Sequence, residues 1–535
     1  MRAAVLLTCL ALAAADHYHS EAVWTARGGV EPDPLEHTAA YWHAEAQAAL
    51  AARLEPVDRR PARSVIMFLG DGLSVPTLAA ARALQGQLQG RPGEEARLAF
   101  ETFPVTGLAK TYCVDAQIPD SACTATAYLG GVKVNQGTLG VTAAVRRGDC
   151  DASLDNSTHI DSIAAWAIQD GRDAGIVTTT RVTHASPAGA YAKIANRNWE
   201  SDANVRAAGL DPERCRDIAH QLVHSFPGNR LKVILGGGRR EFLPNSTVDE
   251  EGARGRRLDG RDLVGEWRAD KRARNASHSY VWDRAGLLAA PADDDYLLGL
   301  FESSHMQYHA EADAAREPSL AELTEAAIAR LSRNPRGYFL FVEGGRIDHA
   351  HHDNLPRLAL LETLQLSEAV ARAARLAAPD TLLLLTADHA HVMTYNGYSR
   401  RGNPVLGLSG DAGRDGKPYL TLSYTNGPGH RPHDVNGRPD ISLENEFGAP
   451  RTRAHADVPL DSETHGGDDV AVFARGPGQH VFTGLYEQSQ LPHLMGYAAC
   501  LGPGRHACSP APPRAAPAPA FALAALFTVA AAALR

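Results

Sequence analysis

Apolar runs of strand length recur along the chain, and each ends abruptly in polar or glycine residues. Continuous runs of this kind are typical of strands that are buried on both faces of a parallel sheet. The five clearest are residues 65–72 (VIMFLGDG), 174–184 (AGIVTTTRVTH), 231–238 (LKVILGGG), 337–345 (GYFLFVEGG) and 381–389 (TLLLLTADH).

Helical patterns lie between these runs. One covers residues 318–333, and another follows Pro356, where Leu358, Leu361 and Leu364 recur at a spacing of three. Strands that alternate with helices predict an α/β fold with a large, mostly parallel central sheet covered by helices on both faces. Ligands in such folds bind at the carboxyl ends of the strands.

Composition is that of an ordinary globular protein. The 535 residues are 44% hydrophobic and 21% charged, and the formal net charge is −9. A chain with this charge offers no basic surface for nucleic acid, so we expect no nucleic-acid partner.

Both ends of the chain carry segments that are typical of cleaved targeting signals. Residues 1–15 (MRAAVLLTCLALAAA) match a secretory signal and are too short for a membrane-spanning helix. Residues 16–31 are interpreted as an N-terminal extension. Residues 506–535 hold a Pro/Ala spacer and an apolar tail, which fit a signal for glycosylphosphatidylinositol (GPI) attachment at Ser509. Pro510 is unfavourable there, so Cys508 or a neighbouring small residue stays open, as do a short single span and a buried terminal helix.

A secreted protein is exposed to an oxidising environment, so we expect its cysteines to form disulfides. Cys9 lies in the signal and is lost when the signal is cleaved. Six cysteines then remain and allow about 15 pairings. No C-x-x-C spacing occurs, which argues against a cysteine-bound zinc. Three Asn-x-Ser/Thr sequons fit surface glycosylation: Asn156, Asn245 and Asn275.

The segment EGGRIDHAHH (343–352) concentrates acids and histidines. Asp348 and His352 are four apart, which places them on one face of a helical turn as two donors suited to Zn²⁺. A solvated polar loop is the plain alternative. Further donors follow the other apolar runs and favour a site with more than one metal ion, although a lone Asp there more often caps a turn or helix. These donors are Asp71, Ser186, Glu343, Asp388 and His389.

Several longer motifs resemble those of one family. The chain is similar to alkaline phosphatases of the animal, membrane-anchored type from about residue 32 to about residue 505. The motifs that carry the resemblance are IMFLGDG (66–72), PDSACTATAYLGG (119–131), TTTRVTHASPAGAYA (178–192), NRNW (196–199), FVEGGRIDHAHH (341–352), LTADHAH (385–391) and ETHGGDDVAVFARGP (463–477).

The resemblance implies roles for individual residues. Ser121 is the expected nucleophile, which becomes a phosphoserine, and Arg197 is expected to grip the phosphate. Two Zn²⁺ and one Mg²⁺ per subunit are implied, with His349 and His351 outside the ligand set. The implied ligands are Asp348, His352 and His465 for one zinc, Asp71, Asp388 and His389 for the second, and Asp71, Ser186 and Glu343 for magnesium.

The implied activity is hydrolysis of phosphate monoesters at alkaline pH by a homodimer that is GPI-anchored on the outer face of the cell membrane. Two alternatives remain. Related phosphodiesterases and sulfatases use Thr or a modified Cys as nucleophile and do not combine DSACTATA with NRNW. A binding protein on an inactive phosphatase scaffold usually lacks a ligand or the nucleophile, and this chain lacks neither.

The chain also departs from the family pattern. Gly130 stands where vertebrate members usually have a cysteine, and Cys113 and Cys123 are additional. The resemblance implies Cys150–Cys215 and Cys500–Cys508, which leaves Cys113–Cys123 as a hypothesis.

A calcium site and a variable region are implied as well. The calcium site would use the carbonyl of Phe301, Glu302 and Glu317, with Glu317 in place of the usual Asp and Glu250 matching loosely. Residues 396–460 match the small crown region of the family.

Overall fold

The computed structural model describes Glu31 and residues 33–54, 56–444 and 446–508. The signal at 1–15, the extension at 16–31 except for Glu31, and the C-terminal segment with Ser509 lie outside these residues. None of the described helices is long and apolar enough to cross a bilayer.

In the described part of the chain, the strands form one large sheet and three small ones. The large sheet has ten strands in the order β17-β2-β16-β8-β1-β7-β3-β4-β6-β5. The strands are β1 Ser64–Gly70, β2 Val105–Lys110, β3 Asp173–Arg181, β4 Val233–Gly237, β5 His278–Val281, β6 Tyr296–Leu300, β7 Tyr338–Gly344, β8 Thr381–Ala387, β9 Ala390–His391, β10 Met393–Tyr395, β11 Leu408–Ala412, β12 Pro418–Leu420, β13 Leu422–Gly427, β14 Ala456–Pro459, β15 His465–Gly466, β16 Val470–Arg475 and β17 Gly484–Glu487.

The five predicted runs are strands β1, β3, β4, β7 and β8. All five are paired in parallel within one continuous block of the sheet, and every residue of β1, β7 and β8 is buried. Strand β16 is the antiparallel member, because it pairs antiparallel with both β2 and β8. The prediction of a mostly parallel central sheet is confirmed.

Helices connect the strands. The predicted helices are α11, which begins with a capping box between Ser319 and Glu322, and α13, which has Pro356 in its first turn. The helices are α1 Ala39–Arg53, α2 Val75–Leu88, α3 Ser121–Gly130, α4 Cys150–Ser153, α5 Ile163–Gln169, α6 Ala185–Ala188, α7 Asp202–Ala207, α8 Ile218–His224, α9 Leu263–Ala273, α10 Arg284–Ala289, α11 Leu320–Leu331, α12 Arg346–His352, α13 Pro356–Leu376, α14 Leu491–Ala499 and α15 Arg505–Cys508.

Small sheets and disulfides complete the described structure. Strands β11 and β12 pair with each other, and β13 joins β10 and β14, so the segment 396–460 contributes strands outside the large sheet. Three disulfides form: Cys113–Cys123, Cys150–Cys215 and Cys500–Cys508.

Candidate active site

Four adjacent strands, β8, β1, β7 and β3, bring the predicted donors to one edge of the sheet. Gly70 at the end of β1 lies between Gly344 of β7 and Ala387 of β8, so the residues that follow these strands emerge together. Gly72 has φ +68°, and a Cβ there would lie 2.4 Å from the ring of His391. Only glycine therefore fits beside Asp71 without strain.

One group of donors surrounds Asp348. The Nε2 atoms of His352 and His465 each lie 3.3 Å from Asp348 Oδ1, and they lie 3.1 Å from each other. Asp348 and His352 share one face of α12, as their spacing predicted. The Nδ1 atoms of both histidines lie against backbone carbonyls, at 2.5 Å for His352 and 2.8 Å for His465. Nδ1–H donates there, so both Nε2 lone pairs face the carboxylate, as in a histidine that binds a metal.

His391 also reaches Asp348 but has no free nitrogen. Its Nε2 lies 2.8 Å from Asp348, and its Nδ1 lies 2.5 Å from a carboxylate oxygen of Glu463. Burial lowers its pKa, but the charges of Glu463 and Asp348 outweigh burial and raise the pKa to about 10. His391 is thus a charged bridge that orients Asp348, and it does not offer a lone pair.

A second group lies next to the first. His389 Nε2 lies 3.1 Å from Asp388 Oδ2, 3.5 Å from Asp71 Oδ1 and 3.2 Å from Ser121 Oγ. His389 Nδ1 faces the carbonyl of Ala390 at 3.3 Å, which again directs the Nε2 lone pair into the group. Asp388 Oδ1 accepts the backbone N–H of Gly72 at 2.9 Å, and its Oδ2 has no hydrogen-bond partner.

A third group consists of oxygen donors. Ser186 Oγ donates to Asp71 Oδ2 at 3.5 Å, and the hydroxyls of Thr178 and Thr180 donate to Oε2 of Glu343. Burial raises the pKa of Asp71 well above its usual value, and the neighbouring carboxylates add to this shift. Burial likewise raises the pKa of Glu343 to about 7.

These groups fit metal ions. Within these three groups, three fully buried carboxylate oxygens have no hydrogen-bond partner, namely Asp71 Oδ1, Glu343 Oε1 and Asp388 Oδ2. Buried carboxylates without partners are costly unless a cation compensates them. The histidine nitrogens suit zinc, and the oxygen-only group suits magnesium.

Ser121 and Arg197 lie beside these groups. Ser121 is the first residue of α3, and Asp120 caps the helix by accepting the N–H of Cys123 at 3.3 Å. Asp120 also accepts from Nη1 of Arg197 at 2.9 Å. The nucleophile candidate therefore lies at a helix N-terminus, which favours an anion, and the arginine is oriented by the capping residue.

The predicted calcium residues are also brought together. Gln307 donates from its backbone N–H to Glu317 at 2.9 Å and from its side chain to Glu302 at 3.0 Å. Burial, followed by the charge of Glu302, raises the pKa of Glu317 to about 8. Phe301 directly precedes Glu302. Glu251 contributes to the same charge cluster, and both Glu250 and Glu251 form ion pairs with Arg239.

Sequence reasoning did not single out several residues of the site. Asp120, Thr178 and His391 stand inside the quoted motifs, so their positions beside predicted ligands are the signal that could have identified them. Glu463, two residues before His465, has the same signal. His305 stands outside these motifs, and no sequence pattern connects it to the site.

Most of the chain matches known proteins. The alkaline phosphatase family model matches residues 62–501. A membrane-bound alkaline phosphatase of Bombyx mori is 58% identical over 503 residues, with 92% of each chain covered. The tissue-nonspecific alkaline phosphatase isozyme of Gallus gallus is 49% identical over 481 residues, with 88% of this chain and 91% of that chain covered.

Solved structures give the same result for the fold. The crystal structure of Thermus thermophilus alkaline phosphatase has a TM-score of 0.57 and 25% identity, with 84% of this chain and 94% of that chain covered. The phosphatase of the Antarctic bacterium TAB5 has a TM-score of 0.56 at 20% identity, with 84% of this chain and 100% of that chain covered. The chain belongs to the alkaline phosphatase family, whose function is the hydrolysis of phosphate monoesters.

Proposed function

We propose that this chain hydrolyses phosphate monoesters through a phosphoserine at Ser121, with two Zn²⁺ and one Mg²⁺ held by the three donor groups. The observation that carries the proposal is the contact of 3.2 Å between Ser121 Oγ and His389 Nε2. It places the hydroxyl beside a buried group of carboxylates and imidazoles in which Asp71 Oδ1, Glu343 Oε1 and Asp388 Oδ2 have no hydrogen-bond partner.

Ser121 acts as the nucleophile in the first half of the reaction. Its Oγ bonds to phosphorus while the bond from phosphorus to the ester oxygen breaks, and the alcohol leaves with a proton. In the second half, water attacks the phosphoserine, which releases inorganic phosphate and restores the hydroxyl. The backbone N–H groups at the start of α3 stabilise the negative charge on the phosphoryl oxygens.

Arg197 orients the phosphoryl group. Its guanidinium has five N–H donors, of which one is engaged by Asp120 and one by His184, so three donors remain for two phosphoryl oxygens. Asp120 is itself held by the backbone N–H of Gly137 at 2.9 Å. Because Arg197 binds the phosphoryl group and not the alcohol, we expect broad specificity for phosphate monoesters.

The metal ligands are assigned as the sequence predicted. Asp348, His352 and His465 would hold one zinc, Asp388 and His389 would hold the second with Asp71, and Asp71, Ser186 and Glu343 would hold magnesium. Bound metal ions would favour the deprotonated form of the serine hydroxyl and of the attacking water and would offset the phosphoryl charge.

The same proposal covers calcium, assembly and location. Glu302 and Glu317, with the carbonyl of Phe301, would bind Ca²⁺, which removes the repulsion between the two carboxylates. Similarity to a relative named membrane-bound supports the proposals of a signal peptide, a GPI anchor near Ser509 and an extracellular active site. We also propose a homodimer, and glycans at Asn156, Asn245 and Asn275.

Hydrolysis of p-nitrophenyl phosphate between pH 8 and 10, with and without a chelator, tests the proposal. We expect activity that the chelator abolishes and that added zinc and magnesium restore. A purified protein that binds zinc but turns over no monoester would favour the binding-protein alternative.

A further inference from the structure

The two cysteines that are additional to the family pattern lie beside the proposed nucleophile. Cys123 stands in the first turn of α3, two residues after Ser121, and its disulfide partner Cys113 stands ten residues before it. Both cysteines are buried in a small apolar cluster with Val134, separate from the large core. The disulfide therefore closes a short loop, residues 113–123, whose last part leads directly into the nucleophile.

This loop is held by few contacts. Its residues 114–118 are mostly exposed and belong to no helix or strand. Two hydrogen bonds tie the loop to the segment after α3: the N–H of Val114 donates to the carbonyl of Val134 at 3.0 Å, and Asp115 accepts the N–H of Gln136 at 2.8 Å. The disulfide adds a covalent tie to α3 itself, so it limits how far the loop can move.

The end of the loop supports a residue of the first donor group, which consists of Asp348, His352 and His465. The carbonyl of Pro119 accepts the Nδ1–H of His465 at 2.8 Å, which directs the Nε2 of His465 towards Asp348. The backbone of His465 is held separately, because β15 pairs with β9. That pairing fixes the position of the residue but not the rotation of its ring. The orientation of the ring therefore depends on where the loop places the carbonyl of Pro119.

The loop also lies along the segment that follows His465. A Cβ on Gly467 would lie 2.7 Å from Cδ1 of Ile118, so the two segments approach each other closely at this point. The hydroxyl of Thr111, just before the loop, donates to the carbonyl of Asp468 at 3.4 Å. A displacement of the loop would therefore reach the first donor group through more than one contact.

The second donor group is oriented differently. The Nδ1 of His389 faces the carbonyl of Ala390, its own neighbour in the chain, at 3.3 Å. Asp388 accepts the backbone N–H of Gly72 at 2.9 Å. Neither contact involves the loop, so the loop orients a ligand at one metal position and not at the other.

We propose that the Cys113–Cys123 disulfide is a positioning cross-link for the metal site. It holds the carbonyl of Pro119 against His465 and so determines how firmly the first donor group retains its metal ion. The inference rests on the proposed function, because it takes this group as the ligands of one zinc. A hydrogen-bond partner of a metal-binding histidine typically contributes about tenfold to 100-fold to metal affinity. Loss of the cross-link loosens this partner without removing it, which predicts an effect at the lower end of that range.

Release of zinc to a coloured chelator tests the cross-link without any turnover. Cys113→Ala/Cys123→Ala is compared with the wild type and with Cys500→Ala/Cys508→Ala, because this control removes a disulfide of similar span, eight residues against ten. We expect one of the two zinc ions per subunit to leave Cys113→Ala/Cys123→Ala about tenfold faster than it leaves the wild type, and the other zinc to leave at the wild-type rate. The control should release both zinc ions at the wild-type rate.

The variant His352→Ala identifies which zinc is affected. His352 belongs to the first donor group, so this variant should hold only the zinc of the second group. Addition of Cys113→Ala/Cys123→Ala to His352→Ala should leave the release rate of that remaining zinc unchanged. Faster release of the remaining zinc would contradict a role of the cross-link at the first group.

Reduction of the folded wild-type protein by a phosphine gives the same test if the double variant does not fold. The phosphine takes the oxygen of one water molecule and becomes a phosphine oxide, while the disulfide gains two electrons and two protons and becomes two thiols. Alkylation and peptide mapping of samples at rising phosphine concentration show when Cys113 and Cys123 become free. Faster release of one zinc should begin when these two thiols appear.

Three results would overturn the inference. They are release rates in the double variant equal to those of the control, equal acceleration of both zinc ions, and zinc that is retained after Cys113 and Cys123 have been alkylated. Each would leave the disulfide with a role in stability alone. A wild-type protein that holds two zinc ions but hydrolyses no monoester would instead overturn the proposed function, and the release measurement would stand independently of it.

Discussion

Replacement of Arg197 by glutamine removes the guanidinium from the phosphate position and leaves the metal ligands in place. The described structure gives Arg197 one contact with Asp120, at 2.9 Å, and one with His184, at 3.3 Å. Asp120 keeps two backbone donors after the change, Gly137 at 2.9 Å and Cys123 at 3.3 Å. We therefore expect the cost to appear in phosphate recognition and not in folding.

The magnitude follows from the two hydrogen bonds that a bidentate arginine makes to a phosphoryl group. Each is worth about 1.5–3 kcal/mol, and part of the loss is offset by water, so a net loss of about 3–4 kcal/mol is expected. This corresponds to a fall of about 100-fold to 1,000-fold in kcat/KM.

Steady-state hydrolysis of p-nitrophenyl phosphate, inhibition by inorganic phosphate and the zinc content measure the effect. Arg206→Gln is the matched control, because Arg206 pairs with Asp202 at 3.2 Å and its side chain is 46% exposed. Unchanged inhibition by phosphate in Arg197→Gln, or a loss of zinc that accounts for the lost activity, would refute the assignment.

Three further predictions concern the metal site, stability and the anchor. His352→Ala should remove one of two zinc ions per subunit, measured by elemental analysis, since two of three ligands remain; an unchanged zinc content would contradict this. Burial raises the pKa of Glu362 from 4.5 to about 7, so the folded state holds a proton that is lost as the pH rises through about 7. Glu362→Gln should therefore stabilise the protein at pH 8–9 by up to about 3 kcal/mol, with the gain vanishing below about pH 4.5, and an equal shift in melting temperature at both pH values would refute it. Phosphatidylinositol-specific phospholipase should release the activity from cells into the medium, and activity that stays on membranes with residues 521–534 intact would contradict the anchor.

The sequence predicted the centre of the sheet better than its edges. Strands β1, β7 and β8 are long apolar runs because both of their faces are buried, and such runs are visible without a structure. Strand β2 reads VTGLAK, and only Gly107 and Ala109 in it are buried, so its sequence resembles a loop. This strand lies next to the edge strand β17 and is defined by its pairing partners, β16 and β17.

The predicted ligands were identified by motif, but their orientation was not. His389 and His391 are two apart in one motif and are both fully buried, yet only the structure shows that Asp348 and Glu463 occupy both nitrogens of His391. His305 enters the site from the loop after β6 through contacts with Arg181, which depend on tertiary packing alone.

Trapping of the phosphoenzyme tests the central claim most directly. The enzyme is incubated with ³²P-labelled inorganic phosphate at acid pH, where hydrolysis of a phosphoserine is slow, then denatured, digested and mapped by mass spectrometry. We predict one labelled peptide with the phosphate on Ser121, and no label in Ser121→Ala that still holds its zinc. Label on another residue, or equal labelling of Ser121→Ala, would contradict the account.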